Sequence, residues 1–157
     1  MITLKKEVLD RMYEHAITDY PKECCGILIG STDGSVVSAH PCTNIQDRLH
    51  QEDPILYPRD ARIAYYMDPS EQLRIISEAE TKGLHVQGFY HSHPDHPAYF
   101  SAEDTARALF DGEPVYPGAV YIVISVIERA IRDVKAFTYD EQERCFKEHT
   151  LERRNES

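Results

Sequence analysis

Apolar residues recur at helical spacing over residues 4–18, where Leu4, Val8, Leu9, Met12, His15 and Ala16 share a face with charges between them. The spacing predicts an amphipathic first helix that ends before Pro21. Residues 27–30 (ILIG) and 35–45 (SVVSAHPCTNI) then read as two strands of a hairpin around the turn STDG. Residues 44–69 are polar, carry three prolines and gather aromatics near their end, which predicts a long connection with short strand pieces. Asp68-Pro69-Ser70 opens a second helix, with Leu73, Ile75, Ile76 and Ala79 at its apolar positions and Lys82-Gly83 as its stop. Alternation returns in LHVQGFYHSHP (84–94), a strand. Ser101 begins a third helix that runs to near Gly112, and residues 116–140 form two strands joined through Glu128 and Arg129. The polar tail from Glu141 is expected to be a short helix or a frayed end.

Helices interspersed with strands predict a layered α/β or α+β domain. A chain of 157 residues suits one such domain, taken as residues 1–140, followed by the tail 141–157. The formal charge of −10 disfavours nucleic acid and anionic membranes as partners. No stretch approaches the ~18 consecutive apolar residues of a membrane span. The N-terminal MITLKKEVLDRM breaks into charge every few positions, so no signal peptide is expected and the chain reads as cytoplasmic. Cys24, Cys25, Cys42 and Cys145 form no CxxC pair, and buried thiols are the simplest reading of them.

The chemistry concentrates in His91-Ser92-His93-Pro94 and the following Ser101-Ala102-Glu103-Asp104. Histidines at i and i+2 of a strand point to the same side, and Pro94 places them at a strand end that solvent can reach. Asp104, one turn into the next helix, completes a His-His-Asp set with a fourth position open to water, as catalytic zinc requires. Water on such a metal has a pKa of about 7. Each residue also has a plainer reading. Ser101 with acids behind it is a good helix cap, and a lone histidine is more often a hydrogen-bonded structural group.

The motif HSHP, six residues, then SAED is similar to the HxHP...SxxD signature of the JAMM-domain (MPN-plus) zinc metallopeptidases. Residues 21–30 (PKECCGILIG) likewise resemble the segment that carries their catalytic glutamate. The resemblance spans roughly residues 1–140. It implies an α/β fold with a mixed, curved sheet flanked by helices, layered like cytidine deaminase. It also implies one zinc ion per chain on His91, His93 and Asp104, Glu23 as general base, and Ser101 as the hydroxyl that steadies the oxyanion. Without it, Glu23 reads as a solvated acid beside Lys22. Gly26 and Gly30 fit the segment, Cys25 matches its cysteine, and Phe100 departs from a proline common there. His96 reads as solvent-facing, with a substrate contact as the alternative.

Small stand-alone relatives imply a ubiquitin-fold or sulfur-carrier protein as substrate, cleaved at a C-terminal Gly-Gly tail that adds alongside a strand and the 44–69 connection. A protein-binding scaffold of the same fold, without catalysis, is the alternative. A cupin or iron oxygenase also uses two histidines and a carboxylate, but the spacing argues against it. A zinc deaminase needs a PCxxC ligand pair that is absent. Cys145 and His149, with Cys42 and His50, have a spacing that can bind metal, and coincidence is the better account.

Overall fold

Strands rich in β-branched residues pair through the middle of the molecule, and helices cover both faces of the sheet they make. The computed structural model describes residues 2–155; Met1 and the last two residues of the tail lie outside them. The sheet contains β2 (Cys25–Gly30), β3 (Val36–Cys42), β4 (His85–Pro94), β7 (Val120–Ile127), β8 (Ala130–Asp140) and β9 (Cys145–His149), in the order β3-β2-β4-β7-β8-β9. β4 and β7 are parallel and every other neighbour is antiparallel, so the sheet is mixed, as expected. Outside it lie β1 (Ile2–Lys5) paired with β10 (Leu151–Arg154), and the small hairpin of β5 (Leu109–Phe110) and β6 (Glu113–Pro114).

Helix α1 (Lys6–Asp19) lays Val8, Leu9, Met12 and Ala16 on the face formed by Leu28, Tyr90, Ile122 and Ile124. Helix α3 (Pro69–Thr81), capped by the Asp68 carboxylate on the Ser70 N–H, puts Ile75 and Ala79 on the other face, against Ile27, Ile29, Phe89 and Val123. Strand alternation sorts β4 between these layers: Tyr90 goes to the α1 side, while Phe89, His91 and His93 go to the opposite side. Gly26, opposite Tyr90 on the neighbouring strand, makes the first layer possible. A Cβ there would lie 2.2 Å from the Tyr90 ring. The ring continues to His15, whose Nδ1 is 2.8 Å from the Tyr90 hydroxyl and whose Nε2 is 3.1 Å from Asp19.

Four segments differ from the sequence expectation. The first helix starts at Lys6 because residues 2–5 pair in parallel with 151–154. The tail is strand at 145–149 and 151–154 rather than a helix or a frayed end: β9 folds back on β8 as a hairpin, and β10 pairs with β1 from the other end of the chain, a partner that leaves no local pattern. Within 44–69 a two-turn helix, α2 (Gln46–Glu52), replaces short strands, apart from a single bridge between Asn44 and Met67. It buries only Gln46, so periodicity does not reveal it, and side-chain bonds from Asp47 to the Ala61 N–H and from Gln46 to the Arg59 carbonyl hold it. The third helix, α4 (Ala102–Ala108), stops early because Asp111-Gly112 forms a two-residue hairpin turn with both residues at positive φ. Glu128 and Arg129 make the expected turn in the same left-handed conformation.

Gly26→Ala should lower unfolding stability by about 1–3 kcal/mol through overpacking against Tyr90. Urea denaturation measures this, and an unchanged midpoint would contradict the packing role of Gly26.

Candidate metal centre

β4 ends at Pro94, and its last two inward-facing side chains on the α3 side are His91 and His93. Across from them α4 begins at Ser101 with a reciprocal cap. The Asp104 N–H donates to Ser101 Oγ (3.0 Å) and the Ser101 N–H donates to Asp104 Oδ2 (3.0 Å). That same Oδ2 lies 3.1 Å from His91 Nε2 and 3.4 Å from His93 Nε2, and the two Nε2 atoms are 3.1 Å apart. Donors about 2.0–2.1 Å from a tetrahedral ion lie roughly 3.3–3.4 Å from one another. The triangle therefore fits one face of such a site, and it is the one convergent metal-binding group among the described residues.

The chemistry of the donors agrees with their spacing. His93 Nδ1 is 2.9 Å from the Pro97 carbonyl, so this nitrogen carries the proton and donates it, and Nε2 presents a lone pair to the triangle. Burial lowers the His91 pKa despite Asp104 beside it, favouring the neutral, metal-binding imidazole. Burial alone would raise the Asp104 pKa, but His91, His93 and the Ser101 N–H outweigh it and hold the carboxyl well below the usual range. The His93 lone pair, the His91 Nε2 and a carboxylate face one another in a buried site, an arrangement that a cation satisfies.

Glu23, just before β2, is 6% exposed and lines the same cavity of about 340 Å³ as His93, Ser101 and Asp104. Burial, followed by the charges of Asp104 and Glu103, pushes its pKa up to about 9. The chain thus brings together all five residues singled out for chemistry. Cys25 is buried with its thiol pKa raised by that burial, as an inert thiol requires. His96 is exposed at the rim of the cavity. Phe100 packs against Tyr121, Phe137 and Phe146, and so ties the start of α4 to the sheet. Cys145 is exposed on β9, and no second metal cluster forms among the described residues.

Three contributors escape sequence reasoning. Tyr65 lies against the His91 ring (centroids 4.8 Å apart), Tyr99 meets the His93 ring edge-on (5.0 Å), and Arg107 lies over Tyr65. Tyr65, Asp104 and Arg107 also form the wall between the polar cavity and a second one, of about 410 Å³, lined by Tyr66, Met67, Phe89, Tyr116 and Tyr121. The aromatic cluster at 65–66 was the available signal, but only the fold assigns it to the histidines.

Residues 5–140 match the family model for prokaryotic homologs of the JAB domain. The chain belongs to this family. Among curated relatives of this JAB-domain protein is a desampylase of Haloferax volcanii, 34% identical over 122 residues, covering 77% of this chain and 75% of the relative. Another is the CysO-cysteine peptidase of Mycobacterium tuberculosis, 25% identical over 137 residues, 87% of this chain and 82% of that one. Among solved structures, a protein of Desulfitobacterium hafniense superposes with a TM-score of 0.74 at 29% identity, covering 99% of this chain and 94% of that one. A JAB1/MPN domain protein from Archaeoglobus fulgidus gives 0.55 at 18% identity over 97% and 96% of the two chains, a likeness of fold. The expected fold is therefore established, and this JAB-domain protein falls in the JAMM-type hydrolase class.

Ser101→Ala removes the cap and should cost about 1 kcal/mol of stability, which Ser101→Thr should restore. Denaturation of both variants measures this; equal loss in the two would contradict the capping role.

Proposed function

We propose that this protein is a zinc peptidase that hydrolyses a peptide or isopeptide bond at the C-terminal Gly-Gly tail of a ubiquitin-fold or sulfur-carrier protein, with Glu23 as general base. The observation that carries the reading is the His91-His93-Asp104 triangle facing one cavity with a buried carboxylate that is not a member of it. The names of the relatives, a desampylase and a CysO-cysteine peptidase, support the substrate class. One zinc ion per chain, held by His91, His93 and Asp104, would supply Lewis acidity toward the carbonyl and a water acidic enough to attack at neutral pH.

The remaining steps belong to the chain's own groups. Glu23 takes a proton as water adds to the carbonyl carbon and returns it to the nitrogen as the C–N bond breaks; the water's second proton passes from the new carboxyl to the amine, leaving a carboxylate and an ammonium group. Burial and the Asp104 charge favour its protonated form, and a cation shared by Asp104 offsets that preference. Ser101 Oγ accepts from the Asp104 N–H, so its own hydroxyl proton remains for the oxyanion. Tyr65 and Tyr99 wall the polar cavity, which suits glycine at the bond cleaved, and the adjoining aromatic groove suits the apolar residues of an extended tail. The complete donor set with its base favours this reading over a non-catalytic scaffold. Three buried thiols with no disulfide suit the cytoplasm.

Glu23→Gln should keep its metal yet lose about 100-fold or more in turnover of a carrier protein joined through Gly-Gly to a lysine side chain. Wild-type turnover in that variant would refute the base assignment. Replacing the glycine at the cleaved bond by phenylalanine should abolish cleavage, and equal rates for the two substrates would remove the case for a narrow cavity.

A further inference from the structure

Glu23 stands outside the sheet ladder, so something other than strand pairing must hold it. Its N–H donates to the Ala61 carbonyl (2.7 Å), and its carbonyl accepts from Asn44 Nδ2 (2.9 Å). Both backbone groups are thus held by the 44–67 connection. On its other side Cys24 is locked to β4, its N–H donating to Ser92 Oγ (2.8 Å) and its carbonyl accepting from the Ser92 N–H (3.1 Å). The base therefore lies between a fixed strand and a connection whose position depends on side chains.

Asn44 carries that dependence. Its Nδ2 donates to the Glu23 and Ala64 carbonyls (2.9 and 3.2 Å), and its Oδ1 accepts from the Gln46 and Tyr66 N–H groups (3.0 Å each). All four hydrogen-bonding positions of the amide are used, and a flipped amide would set NH₂ against two N–H groups and oxygen against two carbonyls. Ala64 and Tyr66 flank Tyr65, whose ring lies on His91. A single half-buried amide therefore fixes the backbone of the base and the backbone of the residue that walls a metal-ligating histidine.

Resting on the hydrolase reading above, we infer that Asn44 is a positioning residue for this reaction, setting Glu23 and Tyr65 relative to the His-His-Asp triangle through its four hydrogen bonds. It touches neither substrate nor reacting atoms. Asparagine is the residue this role requires. Aspartate keeps both acceptor bonds but turns a carboxylate toward two carbonyl oxygens, and alanine removes all four bonds.

Two variants test the inference. Asn44→Ala should speed amide exchange at Gln46 and Tyr66 at least about tenfold while the β4 amides keep their protection. Asn44→Asp should leave those two amides protected. Both should lower kcat for the Gly-Gly-linked carrier protein by about 10- to 100-fold, because small misplacements of a catalytic group are costly, with KM within about twofold and metal content unchanged. Thr43→Ala, whose side chain bonds Glu71 instead, should alter neither kcat nor exchange. Wild-type kcat in both Asn44 variants, or metal lost in step with kcat, would overturn the inference. If the wild-type protein itself fails to cleave the probe, the hydrolase reading fails. Exchange at Gln46 and Tyr66 in Asn44→Ala then decides the clamp alone, and unchanged exchange overturns it.

Discussion

Asp104 is a buried carboxylate whose Oδ2 faces two imidazole nitrogens, and an ionised group so placed is costly unless its lone pairs are met. The Ser101 N–H meets one of them, through the cap that also starts α4, so the helix terminus and the triangle's carboxylate are a single local structure. What remains is a demand for positive charge, shared with the His93 nitrogen that presents a lone pair. Much of the surrounding architecture keeps that demand in place. Phe100 anchors the segment before the cap, Pro97 fixes the His93 tautomer, and parallel pairing with β7 carries β4 through both histidines.

The two faces of the sheet divide the work. On the α1 side, Tyr90 stands over Gly26 and reaches His15, so β2 and β4 are held in register by packing that has no part in chemistry. Register matters because a one-residue slip would turn both histidines into the α1 layer. On the opposite side β4 delivers His91 and His93 to the cleft, where Tyr65 and Tyr99 cover the rings. A rigid strand and a capped helix supply the triangle, while Glu23 and the aromatic wall come from connections held by side-chain hydrogen bonds.

That division explains what the sequence made legible. His91, His93 and Asp104 lie within 14 residues on a strand and the next helix, so alternation and a cap signal suffice to bring them together. Glu23 is legible only through the resemblance of residues 21–30 to the JAMM segment, because its backbone is held by Ala61 and Asn44, far along the chain. The short helix α2 buries a glutamine instead of an apolar stripe, and the end of the tail becomes strand only because β1 is there to receive it. Asn44 looks like an ordinary turn residue, since three of its four bonds go to residues about 20 positions away. In each case the missing information was tertiary.

The central claim, that His91, His93 and Asp104 hold a zinc ion, is tested most directly by elemental analysis of the purified protein beside its His93→Ala variant. The wild type should hold about one zinc per chain and the variant none. A wild-type chain that stays metal-free after zinc replenishment, or a variant that keeps its full complement, would contradict it.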